Sequence, residues 1–368
     1  MLNRWSGMGL SLALVAVAAG CANTEQVPSE IAAEVSEINV GRGPRTPVIF
    51  DSDMDFDDTA ALAYLARQHK LGRIELRAVT VTNNGAGLPG QAIRHARCLL
   101  AEFGLSSIPV ADGSPTATNS FSPVLQFAVN QILSDTFASC TESTASSSVS
   151  AAQTIANTLS SSSRPVTILA TGPLTNVAGA LSLMSSSGCR SPHLRIQRAV
   201  VMGGAVRVTG NADVGPNSDG SQEINIWADP ASAQAVVDRL TPARLTLIPL
   251  DATNHAPVTA AYLTRINGDQ TTVEAQYVAR LMNHPFIQFG VASGAGLYWW
   301  DPVAAIAASS ISSEGVVNYE WIRIGVTQTG VQQGRTVELT RGLSFARVGT
   351  SANTAVFENE FLDGLNGR

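Results

Sequence analysis

The chain has 368 residues, of which 45% are apolar and only 14% charged, which suits one large α/β domain, or at most two, with an ample core. The net charge of −6, with no basic cluster, argues against a nucleic-acid-binding surface.

The N-terminus reads as an address. Arg4 supplies positive charge, Met8 to Ala19 is a short apolar stretch, and Gly20-Cys21 closes it. So short a span is a signal h-region rather than a transmembrane helix. Val17-Ala18-Ala19-Gly20-Cys21 resembles a bacterial lipobox, with Ala18 where Leu is commoner; an ordinary secretory signal that contains a Cys is the alternative. Both readings export the chain. The expected organisation is a signal peptide over 1–20, a flexible polar tether over 21–44 anchored to a bacterial membrane by lipid on Cys21, and a single domain over 45–368.

Val48-Ile49-Phe50 is an apolar run that ends in Asp51, Asp53, Asp55, Asp57 and Asp58, five carboxylates within eight residues, and a helical pattern follows from Thr59 to His69. This predicts a buried strand, a turn and a helix start. Carboxylates this dense beside a core strand repel, so one or more stays protonated unless a cation neutralises the group, and a hard divalent cation with oxygen ligands suits it best. A solvated acidic turn with a helix N-cap is the alternative.

Further along, Ile74 to Thr82 is a strand ending in Asn83-Asn84-Gly85, Gln91 to Phe103 a helix, and Ile108 to Ala111 a short strand. Ser114 to Ser163 is weak in pattern, with an exposed Ser/Thr-rich loop over Ser134 to Ser150 and a helix from Ala151 to Leu159. Val166 to Ala170 and Ile196 to Met202 read as strands around a helix at Val177 to Met184. A Gly/Asn/Asp-rich loop spans Val208 to Ser221, Asp229-Pro230 opens a helix at Ala231 to Arg239, and Leu245 to Leu250 is a strand. Thr259 to Phe289 is largely helical with a break at His284-Pro285, and Trp300-Asp301-Pro302 precedes a helix at Val303 to Ala308. The C-terminal part reads as strands over Trp321 to Val326, Arg335 to Leu339 and Ser344 to Val348. Alternation of strands and helices predicts an open, mostly parallel sheet flanked by helices, with ligands at the carboxyl ends of the strands. Cys140 and Cys189 lie in Ser-rich, loop-like surroundings and are the expected pair, with Cys98 in an apolar helix pattern as a core residue. No Cys or His spacing suits zinc.

Asp51-Ser52-Asp53-Met54-Asp55-Phe56-Asp57-Asp58 resembles the Asp-rich signature of nucleoside hydrolases. Five more blocks follow in the family's order: Ala170 to Asn176, Met202-Gly203-Gly204, Gly210-Asn211, Glu223 to Ile226 with Asp229-Pro230, and Trp300-Asp301-Pro302. The resemblance implies a Ca²⁺-dependent, Rossmann-like hydrolase that cleaves the N-glycosidic bond of ribonucleosides to free base and ribose. It implies Asp53, Asp58, the Thr171 carbonyl and Asp301 as metal ligands, with Asp53 also the general base, and Asp57 on the ribose 2′-hydroxyl. It further implies Asn211, Glu223 and Asn225 on the other hydroxyls, Met202 under the sugar, and Asn84 near metal or sugar. Members that prefer purines carry Trp at the position of Trp300, where it is thought to stack on the base and raise its basicity; pyrimidine-accepting members carry His. A packed core aromatic is the alternative for Trp300. Asp55 is either a ribose 5′-hydroxyl contact or a turn residue. A flap over about Asn283 to Gly296 and a homodimer or homotetramer complete the expectation. A broader or modified-nucleoside ribohydrolase, and a nucleoside-binding lipoprotein without turnover, are the alternatives.

Overall fold

The computed structural model describes residues 45–189, 191–212, 219–242, 244–309 and 315–368. The signal segment 1–20, the tether 21–44 with Cys21, and 213–218 of the glycine-rich loop lie outside the described residues.

Among the described residues one nine-stranded sheet runs in the order β3-β2-β1-β4-β5-β6-β9-β7-β8. Its strands are β1 (Thr46–Ser52), β2 (Ile74–Val81), β3 (Val110–Asp112), β4 (Val166–Ala170), β5 (Ile196–Met202), β6 (Leu245–Ile248), β7 (Val317–Val326), β8 (Thr336–Glu338) and β9 (Phe345–Ala352). β1 to β6 and β9 pair in parallel, and β7 pairs antiparallel to both β9 and β8. β1 pairs with β2 on one side and β4 on the other. The chain therefore winds outward in opposite senses from β1, and a crevice opens at the carboxyl ends of β1 and β4.

The parallel strands are covered on both faces, which is why they read as continuous apolar runs rather than alternating ones. Within β1, Val48 and Phe50 join one core layer and Ile49 the other, as the two-residue period of a strand requires. The first layer is filled by α1 (Phe56–Lys70), α2 (Gln91–Glu102), α10 (Val273–Met282), α12 (Trp300–Ser309) and α13 (Thr354–Asn366). The second is filled by α4 (Ala151–Ser161), α5 (Thr175–Ser186) and α7 (Pro230–Leu240). Helix α1 is buried on nearly every side from Phe56 to Ala66, so its Ala-rich sequence lets α12, α13 and the sheet approach it closely. The remaining helices are α3 (Pro123–Thr136), α6 (Ile224–Ala228), α8 (Leu250–Thr253), α9 (Ala260–Gly268) and α11 (Pro285–Ser293). Among the described residues no helix is long and apolar enough to cross a membrane.

Several expectations are corrected here. Helix α3 falls in the stretch of weak pattern, because only Val129, Ile132 and Leu133 of it are buried and its apolar stripe is thin. Helix α13 ends a region expected to be strands; Asn353 caps it, and Phe357 and Phe361 pack it against the first core layer. β6 stops at Ile248 and Leu250 starts a helical turn. A disulfide joins Cys98 to Cys140, with Cα atoms 5.9 Å apart, so Cys140 does not pair with Cys189. Cys98 is indeed buried in α2, but the chain after α3 passes directly over that helix, a long-range proximity that local composition does not encode.

Candidate active site

Where β1 leaves the sheet the chain turns at Met54, whose φ of +59° is the one positive value at a non-glycine residue among those described. A left-handed conformation costs about 1–2 kcal/mol at a residue with a Cβ. Here complete burial of the Met54 side chain and a hydrogen bond from its N–H to Ser52 Oγ (2.9 Å) hold it in place. Asp55 then caps α1, accepting from Phe56 N–H at 2.5 Å, while Asp58 Oδ2 accepts from Asp55 N–H at 2.8 Å. This reciprocal capping box accounts for Asp55 as a turn residue, although it also borders the cavity.

Capping accounts for one oxygen of Asp58 and for none of Asp53, Asp57 and Asp301. Asp53, Asp57, Asp58 and Asp301 are each no more than 3% exposed. Asp58 Oδ1 accepts from Ser52 Oγ (2.7 Å) and Thr171 Oγ1 (2.5 Å), and Asp57 Oδ2 accepts from Asp301 N–H (3.1 Å). Carboxylate oxygens of Asp57, Asp58 and Asp301 lie within 4.8 Å of one another. Asp53 is tied by Oδ2 to Ala86 N–H (2.7 Å), and its carboxyl group neighbours that of Asp58. Ionised carboxylates this close repel unless a proton or a cation lies between them. Two unit charges about 4 Å apart repel by ~4 kcal/mol at an effective dielectric of about 20. Burial first, then repulsion from neighbouring carboxylates, accordingly pushes Asp53, Asp57 and Asp301 well above the usual carboxylate range. Among the described residues no Lys, Arg or His lines the cavity. A buried, all-oxygen donor set without a protein cation fits a hard divalent ion.

Asp51 lies behind this group. Its Oδ1 accepts from Thr80 Oγ1 (2.6 Å) and Asn176 Nδ2 (2.9 Å), so it ties β1 to β2 and to α5. Burial raises its pKa to about 7 against those hydrogen bonds.

The opposite wall is built at the end of β5. Glu223 caps α6, accepting from Gly204 N–H (2.8 Å), Asn225 N–H (3.0 Å) and Ile226 N–H (3.1 Å). Asn225 Nδ2 donates to the Thr171 carbonyl at 3.0 Å, which leaves that oxygen a second lone pair, and Asn211 Oδ1 accepts from Ile224 N–H at 3.0 Å. Met202, Asn211, Glu223, Asn225, Thr171 and the acidic turn enclose one side of a cavity of about 440 Å³. Asn84 is placed differently from expectation. It is not among the cavity-lining residues, and its amide nitrogen donates to Thr116 O (3.0 Å) and Thr175 Oγ1 (2.8 Å), joining loops behind the site.

The other side of the cavity is apolar. Trp300, in the first turn of α12, borders it, with its indole N–H lacking a hydrogen-bond partner and its ring 5.4 Å from Tyr298. Neighbouring Trp299 is fully buried, edge-on to Tyr262. Phe121 and, from α3, Leu125, Val129 and Ile132 line the cavity, as do Phe286 and Ile287 of α11. Residues 121–132 were missed in the sequence. Ser122-Pro123 as a helix start, with Leu125, Val129 and Ile132 at helical spacing, was the available signal, diluted by the Ser/Thr-rich surroundings. His284 caps α11 and also meets Asp135 of α3, while Gln288 bonds Met282 O. Asp229 caps α7 as expected.

Residues 48–359 match the sequence profile described as inosine-uridine preferring nucleoside hydrolase. The chain belongs to the nucleoside hydrolase family. It is thus an N-glycosyl hydrolase acting on ribonucleosides, from a family whose members use a metal ion, often calcium. The pyrimidine-specific ribonucleoside hydrolase RihA of Shewanella sp. (strain MR-7) is 34% identical over 241 residues, 64% of this chain and 69% of that one. Among solved structures, the inosine-uridine preferring nucleoside hydrolase of Bacillus anthracis superposes with a TM-score of 0.72 at 24% identity, covering 88% of this chain and all of the other. The purine-preferring ribonucleoside hydrolase of Gardnerella vaginalis superposes with a TM-score of 0.71 at 23% identity, covering 88% and 98%. The last two likenesses are likenesses of fold.

A glycine fixes how closely this hydrolase packs its second loop on the acidic turn. A Cβ at Gly85 would lie 2.2 Å from Asp53 Oδ2 and 2.3 Å from Asp53 Cβ. Gly85→Ala must push Asp53 aside. A displacement of about 1 Å at a reacting group reduces turnover about 10²-fold, and overpacking destabilises by about 1–3 kcal/mol. Steady-state assays beside a thermal melt are expected to show both losses together.

Proposed function

We propose that the chain is a Ca²⁺-dependent hydrolase of purine ribonucleosides, releasing the free base and ribose. The observation that carries the purine reading is Trp300 in the cavity wall, with a broad indole face, next to an otherwise apolar half-pocket. Bound among Asp53, Asp58, Asp301 and the Thr171 carbonyl, a divalent cation would orient sugar hydroxyls and acidify a water. Asp53 accepts the proton of the water that attacks the anomeric carbon. Asp57, Asn211, Glu223 and Asn225 fix the ribose through its hydroxyls, and Met202 packs under it. As the bond to the base breaks, positive charge builds on the sugar, and the surrounding carboxylates stabilise it. Trp300 stacks on the departing base, which takes its proton from solvent, since among the described residues no Lys, Arg or His lines the cavity to donate one.

The name of the Shewanella relative favours a second reading, in which pyrimidine nucleosides are the substrates. Release of reducing sugar from inosine, guanosine, uridine and cytidine, with calcium and with chelator, separates the two. Inosine is expected to be the faster substrate and chelator to stop the reaction. Faster uridine cleavage would overturn the purine assignment, and binding without release from any of the four would overturn turnover itself.

The same proposal places the chain outside the cytoplasm, anchored by lipid on Cys21. The Cys98–Cys140 bond supports this, because such bonds persist in oxidising compartments. Labelled palmitate that fails to enter the protein would remove the anchor.

A further inference from the structure

The apolar wall contributed by α3 is lightly held by its own packing. Its outer face leaves Val124 77% and Phe127 61% exposed. An element with so little buried surface belongs to the least stable part of a fold. At its N-terminal end it is held by hydrogen bonds, from Gln126 Nε2 to Gly85 O (2.8 Å) and, just before the helix, from Asn119 Nδ2 to Trp227 O (2.7 Å); its covalent anchor lies at the C-terminal end. Phe137 stacks on Tyr277 at 5.6 Å and on His95 at 5.8 Å. Three residues further on, Cys140 is bonded to Cys98 of α2, a helix whose Ala92, Ile93, Ala96 and Leu99 are fully buried in the core. The same end of α3 carries Asp135, whose Oδ2 lies 3.3 Å from Nε2 of His284, the cap of α11. The α3 wall thus carries one covalent anchor, and α11 meets the same end through the Asp135–His284 contact. The polar tethers nearby, Arg94 to Cys140 O (2.6 Å) and Arg97 to Ser143 O (2.6 Å), compete with water.

We infer that the Cys98–Cys140 disulfide is a positioning device for the substrate site. With the bond intact, α3 and α11 are set to receive the nucleoside; with it broken, affinity falls while the acidic turn and β4 stay in place. A separate cavity of about 640 Å³, lined by Cys98, Glu102, Asp135, Phe137, Cys140 and Arg280, opens beside the bond, so a small dithiol reaches it without unfolding the sheet. One thiolate of the dithiol attacks a sulfur of the bridge, the S–S bond breaks, and a mixed disulfide forms. The second thiol then closes the dithiol into a cyclic disulfide. Two electrons and two protons pass to Cys98 and Cys140, which become thiols.

The inference rests on reading the cavity as the nucleoside site, and its test separates the two. Oxidised protein, protein reduced with dithiothreitol, and the Cys98→Ala/Cys140→Ala double variant are compared by kcat, by KM for inosine and uridine, and by hydrogen exchange. The double variant isolates this bond from other thiol chemistry in the chain. If the walls remain competent in about one molecule in ten, KM rises about tenfold with kcat within about twofold. Residues 121–137 lose exchange protection while α1 keeps it, and reoxidation restores the wild type. An unchanged KM in folded, reduced protein would overturn the inference, as would a fall in kcat at constant KM, or exchange that accelerates equally in α1. Should the oxidised protein cleave no nucleoside, the substrate reading fails; the exchange comparison then decides the tether alone, confined loss sustaining it and uniform loss ending it.

Discussion

Asp301→Asn is expected to abolish the response of this protein to calcium and to lower kcat/KM for its nucleoside substrate by at least about 10³-fold, several kcal/mol of lost charge stabilisation. The same substitution is expected to stabilise the metal-free protein. Asp301 lies buried within reach of Asp57 and Asp58, and without a cation their repulsion opposes folding. Removing one charge relieves it. For the wild type, a ligand at 100 times its Kd contributes about 2.7 kcal/mol, or about 5 °C in a chain of this size. Melts of wild type and variant, each with chelator and with calcium, therefore cross over: the variant melts higher with chelator, the wild type higher with calcium. A variant that calcium still stabilises as much as the wild type would remove Asp301 from the metal site.

What was legible in the sequence follows from how local each signal is. The acidic turn is local: a strand, a reversal and a helix cap lie within a dozen residues, and their carboxylates announce an electrostatic problem before any fold is known. The parallel order around β1 is also legible, because buried parallel strands are continuous apolar runs. Partners across long separations are not. Nothing near Cys140 reveals that it passes over Cys98, and nothing near Asn84 shows that its amide would be engaged by Thr116 and Thr175. Helix α3 was illegible for a related reason. A helix that covers a cavity instead of a core needs few buried residues, so its apolar period is weak where its effect on substrate is large. The resemblance to nucleoside hydrolases supplied the sugar side, Trp300 and the flap, and the structure added the wall from α3.

The second large effect is expected at Asp53, and it distinguishes two roles that the acidic turn combines. Asp53 is assigned both to the metal and to the attacking water, yet the tight oxygen cluster is formed by Asp57, Asp58 and Asp301. One Asp53 oxygen is held by Ala86 N–H, which fixes the direction of the other. Asp53→Asn keeps the size of the side chain and its carbonyl oxygen, but it cannot take a proton. General-base catalysis contributes about 10²–10⁴-fold, so kcat is expected to fall within that range. Calcium affinity, measured by calorimetry, is expected to weaken much less than in Asp301→Asn, because Asp58, Asp301 and the Thr171 carbonyl remain. KM is expected to change little, since the ribose contacts of Asp57, Glu223 and Asn225 are untouched. An equal loss of calcium affinity in the two variants would make Asp53 chiefly a ligand. Retention of kcat would move the base to another carboxylate of the turn, and Asp57, buried and facing the same cavity, is the group that the geometry would then favour.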